Sequence, residues 1–140
     1  MLDTILTEKS LACKENNIVV SCVADGKGLE FLHPIDLYTI FGNAMDNAIE
    51  RVKNLQKQEK RQIDVLIHRQ HQFLIVQIMN PVEEELEFED NLPVTTKHDK
   101  AYHGYGLRSI KNSVKKYNGV FQVKIKDGCF CLKILFPIKE

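Results

Sequence analysis

The chain has 140 residues, and its 19 lysines and arginines balance 19 aspartates and glutamates, so the formal net charge is zero. A neutral chain lacks the electrostatic footprint of proteins that bind nucleic acid or acidic membranes. No apolar run approaches the roughly 20 residues that cross a bilayer, and the four cysteines show neither metal-ligand nor disulfide spacing. We therefore expect one domain over residues 1–140, with reduced thiols, in the cytoplasm.

The first half of the chain is predicted to alternate helices and strands. Residues 3–16 have helical apolar spacing, and a strand is predicted in the β-branched run NIVVSCVA. Asp36, shortly after Pro34, is a plausible N-cap of a long helix that we expect to end near Gln58. A hairpin is predicted next, from the runs QIDVLIHR and QFLIVQIMN.

The second half begins with an acidic, proline-containing stretch over residues 81–103. Its length exceeds that of an ordinary connector and indicates a lid. A short helix should follow from Gly106, with Gly119 as part of its C-terminal signal, and Asp127-Gly128 predicts a final hairpin. The order of elements predicts an α+β fold, a two-layer sandwich in which helices cover one face of a mixed, mostly antiparallel sheet.

The predicted long helix carries a polar stripe beside its broad apolar arc. The stripe consists of Asn43, Asn47, Glu50 and Asn54. Neutral amides beside a core need polar partners, so the stripe suits the wall of a pocket. On this helix alone, an ordinary solvated flank explains the pattern equally well.

A second motif, HGYGLRSI, follows the predicted lid. Gly104 and Gly106 would let the backbone approach a ligand closely, and a helix start there would offer N–H groups to a phosphate. The motif lacks the surroundings of a dinucleotide-binding fold, and the chain has no P-loop sequence. The two commonest nucleotide-binding architectures are therefore excluded.

Taken in order, the segments GNAMDNAIE, VQIMN, TTK and HGYGL resemble the ATP-binding domain of the GHKL superfamily. Within it, the sequence most resembles the catalytic domain of sensor histidine kinases of the quorum-sensing, accessory-gene-regulator type. The resemblance covers nearly the whole chain. It implies a Bergerat-type fold with an ATP lid, and ATP and Mg²⁺ as cofactors.

The resemblance also implies roles for the residues of the first motif. Asn47 matches the asparagine that holds Mg²⁺, and Asn43 matches its partner one turn earlier. One amide oxygen together with phosphate oxygens is sufficient for this cation, which keeps several waters. Glu50 either orients a metal-bound water or is a surface acid.

Asn80 stands where most GHKL proteins carry an adenine-binding aspartate within D-x-G-x-G, a motif that is absent here. Its side-chain oxygen can accept the same hydrogen bond, without the assistance of a charge. Lys97 of TTK either reaches a phosphate from the lid or is an exposed loop lysine. The resemblance assigns further ATP contacts to His103, Gly104, Tyr105, Gly106, Leu107 and Arg108.

The function implied is the catalytic half of a sensor histidine kinase, which positions Mg-ATP for phosphoryl transfer to a histidine. No histidine in the chain resembles the family's phosphoacceptor, so we expect an upstream dimerisation segment, a membrane sensor before it and a response regulator as partner. The piece itself should be a monomer or weak dimer that does not bind nucleic acid. Two alternatives are an anti-sigma-type protein serine kinase and a non-catalytic nucleotide-sensing module.

Overall fold

The computed structural model describes residues 2–24, 26–83, 88–89, 92–93 and 100–138; of residues 26–27, 88–89, 92–93 and 100–105 it describes the backbone alone. The helices are α1 (Leu2–Glu15), α2 (Pro34–Val52) and α3 (Lys100–Lys115). The strands are β1 (Val19–Ala24), β2 (Gln62–Gln70), β3 (Phe73–Pro81), β4 (Phe88–Glu89), β5 (Leu92–Pro93), β6 (Val120–Lys126) and β7 (Cys129–Pro137). No helix within the described ranges is long and apolar enough to cross a membrane.

Five strands form one sheet in the order β1-β2-β3-β7-β6. β1 is parallel to β2, and the other neighbouring pairs are antiparallel. A parallel pair needs a long crossover connection, and α2 lies in the connection between β1 and β2. The predicted α+β fold with a mixed, mostly antiparallel sheet is confirmed.

Alternation along β3 places its side chains on two faces of the sheet. Leu74, Val76, Ile78 and Asn80 are each at most 2% exposed, as the period of two predicted. Their register partners in β7 are buried as well, so β3 and β7 form the floor of the core. α2 packs on β3 and α3 packs on β6, so both helices lie against the five-stranded sheet.

α2 begins two residues before the predicted N-cap. His33 is the N-cap, since its Nδ1 accepts a hydrogen bond of 3.2 Å from the N–H of Ile35. Pro34 occupies the first helical position, where its missing N–H costs nothing. Asp36 therefore lies inside the first turn, where its negative charge is favourable to the helix dipole.

The same helix ends at Val52 and does not reach Gln58. A turn hydrogen bond of 3.1 Å joins the N–H of Leu55 to the Val52 carbonyl, and Leu55 is buried in the core. The Leu55 carbonyl accepts a hydrogen bond of 2.9 Å from Nε of Arg61. Tertiary contacts of Leu55 thus override the helix propensity of the polar residues that follow it.

A polar cluster joins the start of α2 to the end of α3. The Tyr117 hydroxyl donates to Asp36 at 2.5 Å and accepts from the N–H of His33 at 3.0 Å. Lys116 Nζ lies 3.0 Å from the other carboxylate oxygen of Asp36. The hydrogen bond from Tyr117 is the main cause that lowers the pKa of the Asp36 carboxyl, and Lys116 adds to it.

We expect Tyr117→Phe to lower the free energy of unfolding by about 1–2 kcal/mol, because the buried carboxylate loses a donor and His33 loses an acceptor. A lowered pKa means that the carboxylate stabilises the folded state above its unfolded pKa of about 4, and that this contribution is lost as the pH falls through the folded value. Urea titration should therefore show the full difference at neutral pH and a smaller one in acid. Tyr38→Phe, at an exposed ring, is the control; an equal loss in both variants would contradict the role of the cluster.

The C-terminal ends of α1 and α3 have the same geometry. Asn17 and Asn118 each adopt a left-handed conformation with φ of 57°. After α3, the Gly119 N–H bonds to the Val114 carbonyl at 3.1 Å, as in a Schellman motif. Gly119 is therefore not the left-handed residue. It is needed because a Cβ there would lie 2.7 Å from Cγ1 of Val114.

The predicted hairpin between β6 and β7 is confirmed. Asp127 and Gly128 have φ of 54° and 73°, the pair of positive values that a two-residue type I′ turn requires. This turn fixes the register of β6 against β7. In the separate pairing of β7 with β3, Phe130 lies beside Asn80.

Candidate functional site

The first motif lies on the part of α2 that faces α3. Asn47 is buried, with 7% of its surface exposed, and Asn43 is half-buried one turn earlier. Asn43 Nδ2 donates a hydrogen bond of 2.8 Å to the Thr39 carbonyl. This bond fixes the side-chain amide and leaves its oxygen, Oδ1, turned away from the backbone of α2.

The oxygen of Asn43 faces Gly106 on α3. A Cβ placed on Gly106 would lie 3.4 Å from Asn43 Oδ1 and 3.8 Å from Asn43 Cγ. The structure therefore brings together the two motifs that the sequence analysis singled out, although they are far apart in the chain. Packing of α2 against α3 produces this juxtaposition.

The glycine motif differs in one respect from the sequence prediction. α3 begins at Lys100, so Gly104 and Gly106 lie inside the helix and do not open it. Each glycine costs a helix about 1 kcal/mol relative to alanine, so the turn that contains both is intrinsically weak. The prediction of a helix start at Gly106 is wrong for this conformation.

The other residues of this motif have different environments. His103, Gly104 and Tyr105 lie in the helical backbone of α3, and their side chains are outside the description. Leu107 is 1% exposed and belongs to the core, so its side chain is not available to a ligand. Arg108 is exposed.

The predicted polar stripe is shorter than the sequence indicated. Glu50 is half-buried, and Lys53 Nζ lies 2.7 Å from its Oε2, with both side chains 35% exposed. An ion pair this exposed contributes little to stability. Asn54 lies beyond the end of α2 and is exposed, so it is not part of the stripe.

Asn80 lies at the end of β3 and is 1% exposed. Its Nδ2 donates a hydrogen bond of 3.0 Å to the Pro81 carbonyl. The side-chain oxygen is the acceptor of this amide. That acceptor suits a ligand that donates hydrogen bonds, such as an exocyclic amino group.

Arg51, which the sequence analysis did not single out, belongs to the same region. It is half-buried and follows Asn47 by one helical turn, and its guanidinium carbon lies 4.3 Å from the centroid of the Phe130 ring. Burial lowers the pKa of Arg51 to about 10, so it stays charged at neutral pH. The four-residue spacing of positions 43, 47 and 51 is the signal that could have identified it.

The described residues could hold Mg²⁺ only together with a bound ligand that supplies further oxygen atoms to the cation. Within the described ranges, no group of three or more His, Cys, Asp or Glu is arranged to hold a metal ion. Asn47 offers one amide oxygen in a buried position, which suits a cation that takes one or two protein ligands plus phosphate oxygens and water. Lys97 and most of the predicted lid lie outside the described residues.

Comparison with known families identifies the class of domain to which this two-layer α+β fold belongs. The family model of the GHKL domain matches residues 32–137, and the chain belongs to this family. No curated protein matches the sequence.

Solved structures show the same fold. The chain is similar to the histidine kinase AdeS of Acinetobacter baumannii, with a TM-score of 0.67 and 12% identity over 99% of this chain. It spans 63% of that AdeS chain. Two nucleotide-free structures of the catalytic domain of histidine kinase ThkA give TM-scores of 0.75 and 0.72 at 14% and 16% identity, over 97% of this chain and 89% and 90% of theirs. The chain is thus a GHKL domain that resembles histidine kinase catalytic domains.

Proposed function

We propose that this domain binds Mg-ATP and positions it for transfer of the γ-phosphoryl group to a histidine of an upstream dimerisation segment. The observation that carries the proposal is the juxtaposition of Asn43 Oδ1 with Gly106, beside the buried Asn47. Phosphoryl transfer depends mostly on positioning and on neutralising charge, so the domain needs no nucleophile of its own.

Each residue of the site has a distinct task in this proposal. Asn47 would hold Mg²⁺ together with phosphate oxygens, and the chemistry that the cation would supply there is neutralisation of phosphate charge. Asn80 accepts a hydrogen bond from the adenine amino group through its side-chain oxygen, while its nitrogen donates to the Pro81 carbonyl. Gly106 has no side chain that would separate the phosphates from Asn43.

The turn of α3 that contains Gly104 and Gly106 would supply backbone N–H donors to the phosphates after local unwinding. In the helical conformation, N–H groups in the interior of α3 are engaged within the helix. Two glycines in one turn make local unwinding inexpensive, and unwinding up to Gly106 would free N–H groups at a new helix start. Arg108 would then lie in the first turn of the shortened helix.

The remaining parts of the proposal concern partners. The phosphoacceptor histidine lies on an upstream segment of the same protein, and a response regulator receives the phosphoryl group from it. The domain acts in the cytoplasm and is by itself a monomer or weak dimer. Assignment to the accessory-gene-regulator type of sensor kinase stays a prediction.

Phosphoryl transfer tests this function. The domain is incubated with γ-labelled Mg-ATP and a separately supplied helical dimerisation segment, and the label is analysed for acid stability. We expect acid-labile label on a histidine of that segment, and none when Asn47→Ala replaces the unmodified domain. Acid-stable label on serine, or nucleotide binding without transfer to any supplied segment, would contradict the proposal.

A further inference from the structure

The environment of Arg51 is unusual for a cation. Its Nε is buried and has no hydrogen-bond partner, and the Phe130 ring lies against the guanidinium. Burial lowers its pKa, and no carboxylate among the described residues is paired with it. Partial burial of a cation is costly when no carboxylate among the described residues offsets it, so we expect Arg51 to contribute little to the stability of the unliganded domain.

Replacing such a residue by an apolar one would be favourable for folding alone. Its presence therefore indicates a partner that the described residues do not supply. The partner must be anionic to offset the desolvation of the Arg51 guanidinium. It must also approach from a side that the Phe130 ring leaves open, because the ring covers one face of the guanidinium. Phosphate oxygens match the planar donor fork of arginine better than any other common anion except carboxylate.

The position of Arg51 indicates which phosphate this is. Asn47 lies one turn before it on α2, with side chains separated by about 6 Å at their bases. On the other side, Phe130 is the register partner of Asn80, the residue that the proposed function assigns to the base. The neighbours therefore run from Asn80 through Phe130 and Arg51 to Asn47, and the phosphate attached to the ribose is the one nearest the base.

We propose that Arg51 is a further nucleotide-binding residue, which donates hydrogen bonds from its Phe130-supported guanidinium to the α-phosphate. This inference rests on the proposed nucleotide-binding function. The contact is made with the phosphate that AMP, ADP and ATP share, and it does not require Mg²⁺. Adenosine, which has no phosphate, does not use it.

The test compares the full chain with its Arg51→Met variant, in which a flexible apolar side chain of similar length keeps the packing on Phe130. Affinities for AMP and adenosine are measured by calorimetry without Mg²⁺, and those for a nonhydrolysable ATP analogue with Mg²⁺. We expect AMP and the ATP analogue to bind ~10- to 100-fold more weakly to the variant. Adenosine should bind equally well to both proteins, and the melting temperature of the unliganded variant should be no lower than that of the unmodified domain.

Two further variants serve as controls. Arg69→Met removes an exposed arginine at the end of β2 and should leave AMP binding unchanged, which excludes a general effect of net charge. Arg51→Lys keeps the charge without the planar fork and should recover part of the lost affinity.

The outcomes separate this inference from the proposed function. If the unmodified domain binds neither AMP nor the ATP analogue, both fail. If it binds them and Arg51→Met binds AMP equally well, or loses adenosine as much as AMP, the role of Arg51 is overturned and the proposed function stands. A lower melting temperature with unchanged AMP affinity would show that Arg51 is a packing residue only.

Discussion

Asn47→Ala will weaken binding of Mg-ATP by about 100-fold, which corresponds to roughly 2.7 kcal/mol. Asn47 is 7% exposed at the centre of the site, and its amide oxygen is the protein ligand that we assign to Mg²⁺. Without it, the cation would be held by the phosphates alone and would no longer connect the nucleotide to α2. The loss should therefore depend on the metal: in EDTA, the unmodified domain and the variant should bind the ATP analogue with similar affinities.

Asn54→Ala is the matched control for this variant. Asn54 is an exposed asparagine just beyond the end of α2. Its replacement tests whether loss of any amide in this region weakens Mg-ATP binding. We expect its Kd to equal that of the unmodified domain within about twofold. Equal losses in the two variants, or a loss in Asn47→Ala that persists unchanged in EDTA, would rule out the assigned role of Asn47.

Gly106→Ala should separate folding stability from ligand affinity. The new methyl group lies 3.4 Å from Asn43 Oδ1, an ordinary contact, so the helical form of α3 accommodates it. Alanine favours the helix over glycine, and the free energy of unfolding should rise by about 0.5–1 kcal/mol. The affinity for Mg-ATP should fall by about tenfold or more, because the methyl group fills the approach to Asn43 and the turn unwinds less readily.

Gly42→Ala is the control for the glycine variant. Gly42 lies in α2 next to Asn43 in sequence, and a Cβ there would lie 3.7 Å from ring atoms of Tyr38, in ordinary contact. It should gain similar stability with no change in Mg-ATP affinity, as measured by urea titration and calorimetry. The account of Gly106 would be wrong if both variants lost affinity, or if Gly106→Ala bound Mg-ATP as tightly as the unmodified domain.

The sequence was sufficient to predict the long strands and the two hairpins of the sheet, because strand periodicity and hairpin turns are local signals. The face of β3 that carries Asn80 follows from a period of two, and the turn at Asp127-Gly128 follows from residues that tolerate positive φ. The helix ends were less predictable. Burial of Leu55 ends α2 early, and such a tertiary contact has no signature in local propensity.

Part of the site was predictable because it also leaves a local signal in the sequence. The motif around Asn43 and Asn47 combines amides with an apolar helical arc, and this conflict is visible in the sequence. The environment of Arg51 could not be predicted from the sequence, because it depends on contact with Phe130. The pairing of β7 with β3 determines where Phe130 lies, and this pairing has no local signal. The extension of α3 to Lys100 was missed because glycines were interpreted as a helix start, whereas a helix can tolerate them at moderate cost.

The most direct test of the central claim is calorimetric titration of the domain with a nonhydrolysable ATP analogue, with and without Mg²⁺. Asn43 and Gly106 converge beside the buried Asn47, so we predict one binding site per chain and a higher affinity when Mg²⁺ is present. The gain from Mg²⁺ should disappear in Asn47→Ala. Absence of binding to the folded domain, or an affinity that neither Mg²⁺ nor Asn47→Ala alters, would contradict the account.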